Sequence, residues 1–420
     1  MHKTLAEPDF ALSLPPEGDA LAGPLLLPSQ LLERLTGETW LQCLQGSLLV
    51  AAGDAPEQFA RPLVLCDGRL YLRRYWTYER QIDSALRQRL AQAEPTPADL
   101  RERLEMLFRE GAEPGQVDWQ KLACALATRS AFSIITGGPG TGKTTTVVRL
   151  LALLQAPAVE AGRPLRIRLA APTGKAAARL TESIGQQVER LTVSAEVREQ
   201  IPCDVSTVHR LLGSRPNSRH FRHHAGNPLP LDVLVVDEAS MIDLEMMANL
   251  LAAMPDNARL ILLGDKDQLA SVEAGAVLGD LCRDAEDGRY SPQTRAWLEQ
   301  VSGESLAASG LESGDGERHP LAQQVVMLRR SRRFGEGSGI GQLARLVNRQ
   351  QSGEARALLQ KGDYADVFGL SLRGEQDRAF DRLVLDGLAR GQDGPQGYRT
   401  YLHAIRQGRP AADRALDDPC

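Results

Sequence analysis

The chain has 420 residues, of which 42% are hydrophobic and 25% charged, and a formal net charge of −5 at pH 7. That balance fits two or three globular domains and excludes a protein that coats nucleic acid with basic charge, although it leaves room for one strand held in a local groove. No apolar stretch approaches a membrane span, the N-terminus lacks a signal-peptide core, and the six cysteines form no Cys-x-x-Cys pair, so free thiols in a reducing cytoplasm are expected rather than disulfides or zinc.

The first ~90 residues read as a separate small unit. Ser29–Leu35 has helical spacing. Arg61–Cys66 and Arg69–Trp76 flank Asp67-Gly68, a two-residue hairpin signal. Tyr78-Glu79 then leads into an amphipathic helix ending at Leu90. Ala91–Asp99, with two prolines, reads as a linker, and Gly111–Gly115 as a turn. From Asp118 the pattern alternates. Helices are expected at Trp119–Thr128, Thr144–Leu154 and Thr173–Ile184, and strands at Ala131–Ile135, Leu165–Ala171, Leu231–Val236 and Leu260–Leu263. Such alternation predicts an α/β fold with a parallel sheet covered on both faces. Cys282–Pro320 is polar and reads as a long exposed insertion, with a helical turn or two at Arg295–Val301. A strand at Val325–Leu328 and a helix at Gly339–Asn348, capped by Ser338, follow. After Asp366 the signals are weak.

The motif that bounds the chemistry is Gly137-Gly138-Pro139-Gly140-Thr141-Gly142-Lys143-Thr144, directly after an apolar run. It fits the phosphate-loop pattern G-x-x-x-x-G-K-[ST]. Glycines let backbone N–H groups converge on a phosphate, and the loop opens onto a helix N-terminus that favours an anion. Lys143 is placed for the β- and γ-phosphates of ATP, Thr144 for Mg²⁺, and Thr145 beside them as part of the same nucleotide site. A plain glycine-rich turn is the alternative.

About ninety residues on, Leu234-Val235-Val236 ends in Asp237-Glu238. Asp237 suits Mg²⁺, and Glu238 suits orientation and deprotonation of an attacking water. A strand followed by an acidic helix cap would read the same way. Gln268, in Gly264-Asp265-Lys266-Asp267-Gln268, follows the next strand, where an amide can donate to a γ-phosphate oxygen and accept from water. A polar turn is the plain alternative.

Pro172, Thr173 and Lys175 repeat the strand–loop–helix logic without a second phosphate loop, and suit a phosphodiester backbone. Thr207 and His209 add a hydroxyl and an imidazole as further DNA donors, with His209 neither acid nor base. Arg219–His224 is locally basic, either a backbone contact or an exposed loop, and its histidines do not space as a metal site. Residues 325–350 hold six arginines and one glutamate. An arginine fork can stabilise spread phosphoryl charge; a basic surface face is the alternative.

This ordered set resembles the superfamily-one DNA helicases and, within them, the RecD family, the alpha subunits of exodeoxyribonuclease V. The resemblance is carried by Gly137–Thr144, Ala171–Ala177, Ser206–Leu212, Asp237–Ile242, Leu263–Leu269 and Leu328–Phe334. It implies that Gln120 reads adenine and that Arg333 reaches the γ-phosphate. It also implies a small N-terminal docking domain at 1–110, a RecA-like ATP-binding domain at 111–322 and a partial second RecA-like domain at 323–420. The implied function is ATP-driven 5′-to-3′ unwinding of DNA in double-strand-break repair, on the single strand from an opening duplex end, beside RecB and RecC and away from membranes. Tyr71, Tyr75, Trp76 and Tyr78 are either docking anchors or the hairpin's own core. The later helicase motifs of the family have no match in Leu370–Cys420, so the chain is expected to be a truncated copy. A nucleotide-binding subunit without motor activity, and a phosphate-loop ATPase acting on something other than DNA, stay open as alternatives.

Overall fold

The computed structural model describes residues 37–53, 60–92, 94–109, 116–216, 218, 220–268, 277–307, 309–335, 337–367, 369–372, 374, 377–387 and 397–407. The expected helix at Ser29–Leu35, the turn at Gly111–Gly115 and Leu269 lie outside them. Contacts divide the chain into two compact units, Met1–Thr136 with Thr144–Met327, and Gly137–Lys143 with Leu328–Cys420.

The first unit begins with α1 (Gly37–Gly46) and a three-stranded sheet of β1 (Val50–Ala52), β2 (Leu63–Cys66) and β3 (Arg69–Leu72). β1 runs parallel to β2, and β2 and β3 form the expected antiparallel hairpin. Its turn residues Asp67 and Gly68 both have positive φ, 48° and 73°, which matches the right-handed twist of the flanking strands. The second strand is shorter than its apolar run. It stops at Leu72, and Arg73 to Trp76 already belong to α2 (Arg73–Leu90). Burial decides the switch: Trp76, Ile82, Leu86 and Arg89 recur at helical spacing on the buried face. Ile82 and Leu86 enter the same core as Met247, Leu250 and Leu251, so α2 packs onto the central layer. The Arg89 guanidinium ties it there, donating to the Ala85 and Pro255 carbonyls.

The central layer follows α3 (Leu100–Leu107) and α4 (Trp119–Thr128). Its elements are β4 (Phe132–Gly137), α5 (Lys143–Glu160), β5 (Ile167–Ala171), α6 (Gly174–Glu189), α7 (Ala195–Glu199), β6 (Val205–Thr207), α8 (Val208–Leu212), β7 (Val233–Val236), α9 (Leu244–Ala253) and β8 (Arg259–Gly264). With β9 (Val325–Leu328) the strand order is β6-β5-β7-β8-β4-β9. The pairings β4–β8, β8–β7, β7–β5 and β5–β6 are all parallel. Every residue of β4 and β7 is buried, as a sheet covered on both faces requires. The α/β class and parallel sheet read from the alternation are therefore what the chain forms.

Only the second half of Cys282–Pro320 is the exposed stretch expected, residues 303–320 being mostly exposed or half-buried where described; the first half is not. After α10 (Val277–Leu281), an eleven-residue helix α11 (Pro292–Ser302) buries Leu298 and Val301 and packs against α3 and α4. The polar residues that disguised it are spent on the segment's own backbone. Ser291 caps the helix at Thr294 N. The Gln323 side chain accepts from Ser291 N and donates to the Arg289 and His319 carbonyls, and the Tyr290 hydroxyl donates to Val325 O. Hydrogen-bonded polar groups cost little to bury.

In the second unit, α12 (Gly339–Asn348) starts where expected, with Ser338 Oγ accepting from Gly341 N. Asp366 accepts from Ser338 Oγ and Gly339 N at the same helix start. Leu346 packs with Ala355 and Leu358 of α13 (Ser352–Lys361). Two amphipathic helices not anticipated from the sequence, α14 (Arg378–Asp386) and α15 (Tyr398–Arg406), pack on each other.

Candidate nucleotide and nucleic-acid site

Parallel register sets the site. Thr136 pairs with Gly264, Leu262 with Val236, Val236 with Ala170, and Ala171 with Thr207. The carboxyl ends of β4, β5, β6, β7 and β8 thus emerge on one edge, where an open α/β sheet binds ligands. The residues that follow these ends include those the motifs singled out.

After β7, Asp237 and Glu238 are half-buried. Glu238 adopts a left-handed conformation (φ 52°, ψ 37°), which costs a side-chain-bearing residue about 1–2 kcal/mol. Asp237 N donates to Ala170 O, and Asp237 Oδ1 accepts from Glu238 N at 2.9 Å. The bend is therefore held by the Asp237 carboxylate and by the Asp237 backbone N–H. After β8, Lys266 N donates to Thr136 Oγ1, and Gln268 is exposed. Its Oε1 accepts from Ser240 Oγ at 2.6 Å. Ser240 was not among the sequence-derived candidates. Its position two residues after the carboxylate pair was the available signal.

Gln120 is buried in the first turn of α4, whose N-cap Asp118 accepts from Gln120 N and Lys121 N at 3.0 Å. After β5 and β6, Thr173 and Thr207 play matching parts. Each caps the helix that follows, Thr173 Oγ1 accepting from Ala176 N and Thr207 Oγ1 from Arg210 N, both at 3.2 Å. Each hydroxyl keeps a proton to donate. Thr173, Lys175 and His209 are exposed, with Pro172 and Thr207 half-buried. The backbones of Arg222 and His223 donate to the Gly213 and Leu212 carbonyls, and the backbones of His224 and Asn227 pair with each other.

The second unit carries the phosphate loop itself. Gly140 and Gly142 have φ of 74° and 84°. A Cβ on Gly140 would collide with the Cβ of Arg333 and lie 2.9 Å from Ser331 Oγ, so only glycine fits there. The arginine segment clasps this loop: Ser331 Oγ donates to Pro139 O at 2.9 Å, and Arg332 N to Gly140 O at 2.8 Å. Arg333 is exposed beside it. Lys143 Nζ donates to Gly137 O at 2.6 Å and Gly138 O at 3.2 Å, which holds the ammonium inside the curve of the loop. Thr141 Oγ1 donates to Gly138 O. Thr144 and Thr145 are half-buried in the first turn of α5.

Taken each by itself, the two units carry donors that suit a nucleotide and a magnesium ion. In the second, the left-handed glycines free backbone amides for a phosphate; in the first, the Thr144 hydroxyl and the Asp237 carboxylate are of the kind that a metal held largely by phosphate oxygens takes. Among the described residues no three His, Cys, Asp or Glu side chains gather as a metal centre, and such a magnesium needs none.

Residues 120–274 match the family described as AAA domain. The RecBCD enzyme subunit RecD of Haemophilus influenzae is 40% identical over 379 residues, 88% of this chain and 55% of that protein. This chain is a RecD homologue. It spans about half the length of the curated RecD proteins it matches. The ATP-dependent RecD2 DNA helicase of Deinococcus radiodurans is 36% identical over 225 residues, 54% of this chain and 28% of that one. A structure of two coordinating Pif1 helicases on forked duplex DNA aligns with 63% of this chain and 51% of its own at 16% identity, with a TM-score of 0.29.

Thr173 follows β5 and Thr207 ends β6, both on the sheet's carboxyl edge. The aromatic quartet is not an exposed patch: Trp76 is buried, Tyr71 packs on it with ring centroids 5.0 Å apart, and Tyr78 packs against the central core. A cavity of about 640 Å³ between α2 and α9, lined by Trp76, Arg80, Arg89 and Met254, lies off the carboxyl edge. Among the described residues no helix is long and apolar enough to cross a membrane.

Proposed function

We propose that the chain is the ATP-driven DNA helicase subunit of a RecBCD-type enzyme, acting 5′ to 3′ on a single strand from an opening duplex end, in cytoplasmic double-strand-break repair beside RecB and RecC. One observation carries the hydrolytic part. Glu238 is held in a left-handed bend beside Asp237, at the sheet edge from which the phosphate-loop strand also emerges. Backbone strain at a side-chain-bearing residue clusters at functional sites, and here it falls beside a second carboxylate at the ligand-binding edge of the sheet. The names of the relatives support the DNA and subunit parts.

In this reading Gly137 to Gly142 cradle the phosphates through their amides, and Lys143 swings from its loop carbonyls to the β- and γ-oxygens. Thr144 and Asp237 would hold magnesium, which would supply charge neutralisation at the phosphates. Glu238 takes a proton from the attacking water. Gln268 senses the γ-phosphate, Arg333 supplies the fork that stabilises spreading charge, and Gln120 reads the adenine. Pro172, Thr173, Lys175, Thr207 and His209 grip the strand's backbone. The functional division is 1–110 for docking, 111–322 for ATP, and 323–420 in a second RecA-like domain. With Tyr71, Trp76 and Tyr78 packed inward, the docking surface falls to the exposed Leu48, Leu49, Leu70 and Leu72.

The test is steady-state ATP turnover of the chain with and without single-stranded DNA, in the wild type, Lys143→Ala and Thr173→Ala/Thr207→Ala. We expect turnover that needs Lys143 and whose DNA stimulation is weakened by the threonine pair. Turnover that ignores DNA would favour a phosphate-loop ATPase with another substrate. Binding without turnover would favour a subunit that uses nucleotide structurally.

A further inference from the structure

We propose that Ser240 is a positioning residue that sets Gln268 to donate, rather than accept, at the γ-phosphate. The inference rests on the nucleotide site proposed above. Its geometry is independent of that reading. Val236 of β7 pairs with Leu262 of β8, so the connections that follow these strands leave the same edge side by side. The left-handed Glu238 starts a tight turn at Ala239–Met241. That turn brings Ser240 close to the β8 end: a Cβ on Gly264 would lie 3.2 Å from Ser240 N and 2.5 Å from Leu278 Cδ2. Glycine at 264 is therefore what permits the approach. Ser240 is only 7% exposed, yet its hydroxyl donates outward to Gln268 Oε1 at 2.6 Å.

An amide offers two lone pairs at its oxygen and two protons at its nitrogen. With the oxygen turned to Ser240, the protons point from the opposite end and the rotation of the amide is fixed. Gln268 is then a donor to a phosphate oxygen, and accepting the water's proton is left to Glu238. The bond also links the connection that holds the carboxylate pair to the one that senses phosphate. A change at Gln268 on γ-phosphate loss is thus felt two residues from Glu238.

The test measures, on the full chain with magnesium, the ratio of dissociation constants for ADP and for a non-hydrolysable ATP analogue. Turnover is measured alongside. Ser240→Ala should shrink the ratio by about five- to tenfold, one hydrogen bond's worth, with ADP affinity unchanged. Ser240→Thr, which keeps the hydroxyl, should retain the wild-type ratio. Gln268→Ala should shrink it too, and Ser240→Ala should add nothing in that background. An undiminished ratio in Ser240→Ala, equal loss for both nucleotides, or full additivity with Gln268→Ala would each overturn the proposal. Failure of the underlying site looks different: the wild type would then bind neither nucleotide, or bind both indifferently to Lys143→Ala, and the proposal would fall with it.

Discussion

In the six-stranded sheet every residue of β4 and β7 is buried, whereas β3 of the three-stranded sheet exposes Arg69, Leu70 and Leu72. The larger sheet gets its definition from apolar cover on both faces. The smaller one depends on a two-residue turn and on backbone ties such as Arg61 Nη1 to Val50 O at 2.7 Å. In the proposed reading, rigid cover holds the edge that carries Asp237, Glu238 and Gln268. The small sheet instead leaves Leu70 and Leu72 exposed.

Truncation should separate the two sheets most sharply. Leu262, fully buried in β8, should cost about 2–5 kcal/mol as Leu262→Ala, because the tight surroundings collapse only partly around the cavity. Leu70, 43% exposed, should cost under about 0.5 kcal/mol as Leu70→Ala. Urea denaturation reads both. Similar costs would mean that the small sheet is covered in solution, and so would break the comparison.

Helix starts sharpen it at a smaller scale. Asp118 caps α4 beside the large sheet, whereas α2, which follows β3, has no side-chain cap. Asp118→Ala should lower stability by about 0.5–2 kcal/mol. It should also weaken ATP binding through Gln120, which the cap holds in place. Unchanged nucleotide affinity would detach Gln120 from the site.

Legibility followed the same divide. Apart from β6 (Val205–Thr207), which is short, half-buried and not expected as a strand, the strands of the large sheet are apolar runs that favour a parallel, doubly covered layer, and the phosphate loop and Asp237-Glu238 are each contiguous in sequence. What escaped the reading was long-range. Nothing local says that Trp76 turns inward on a helix, that Leu298 and Val301 bury a face of α11, or that Ser240 meets Gln268 across 28 residues. In each case a polar or ambiguous stretch is decided by partners distant in the chain.

Thiol chemistry gives the smallest contrast. Burial pushes the Cys282 thiol up to about 12 and also raises Cys124, both in the central layer. Cys43 is exposed and Cys66 half-buried in the N-terminal segment. Alkylation at about pH 8 should label Cys43 and Cys66 while sparing Cys124 and Cys282. Because the fold holds the buried thiols protonated, their share of stability is complete below the ordinary thiol pKa of about 8.5. It is lost as pH climbs towards the folded value, so the urea midpoint should fall above about pH 9. A midpoint that rises over that range would contradict the sign.

The most direct measurement of the central claim compares Glu238→Gln with the wild type for both Mg-ATP binding by calorimetry and steady-state turnover. The strained carboxylate on the rigid edge is assigned the water's proton and not the nucleotide. Binding should therefore persist while turnover falls at least ~10²-fold, the scale for losing a general base. Loss of binding, or turnover that survives the change, would show that the left-handed bend at Glu238 serves something other than hydrolysis.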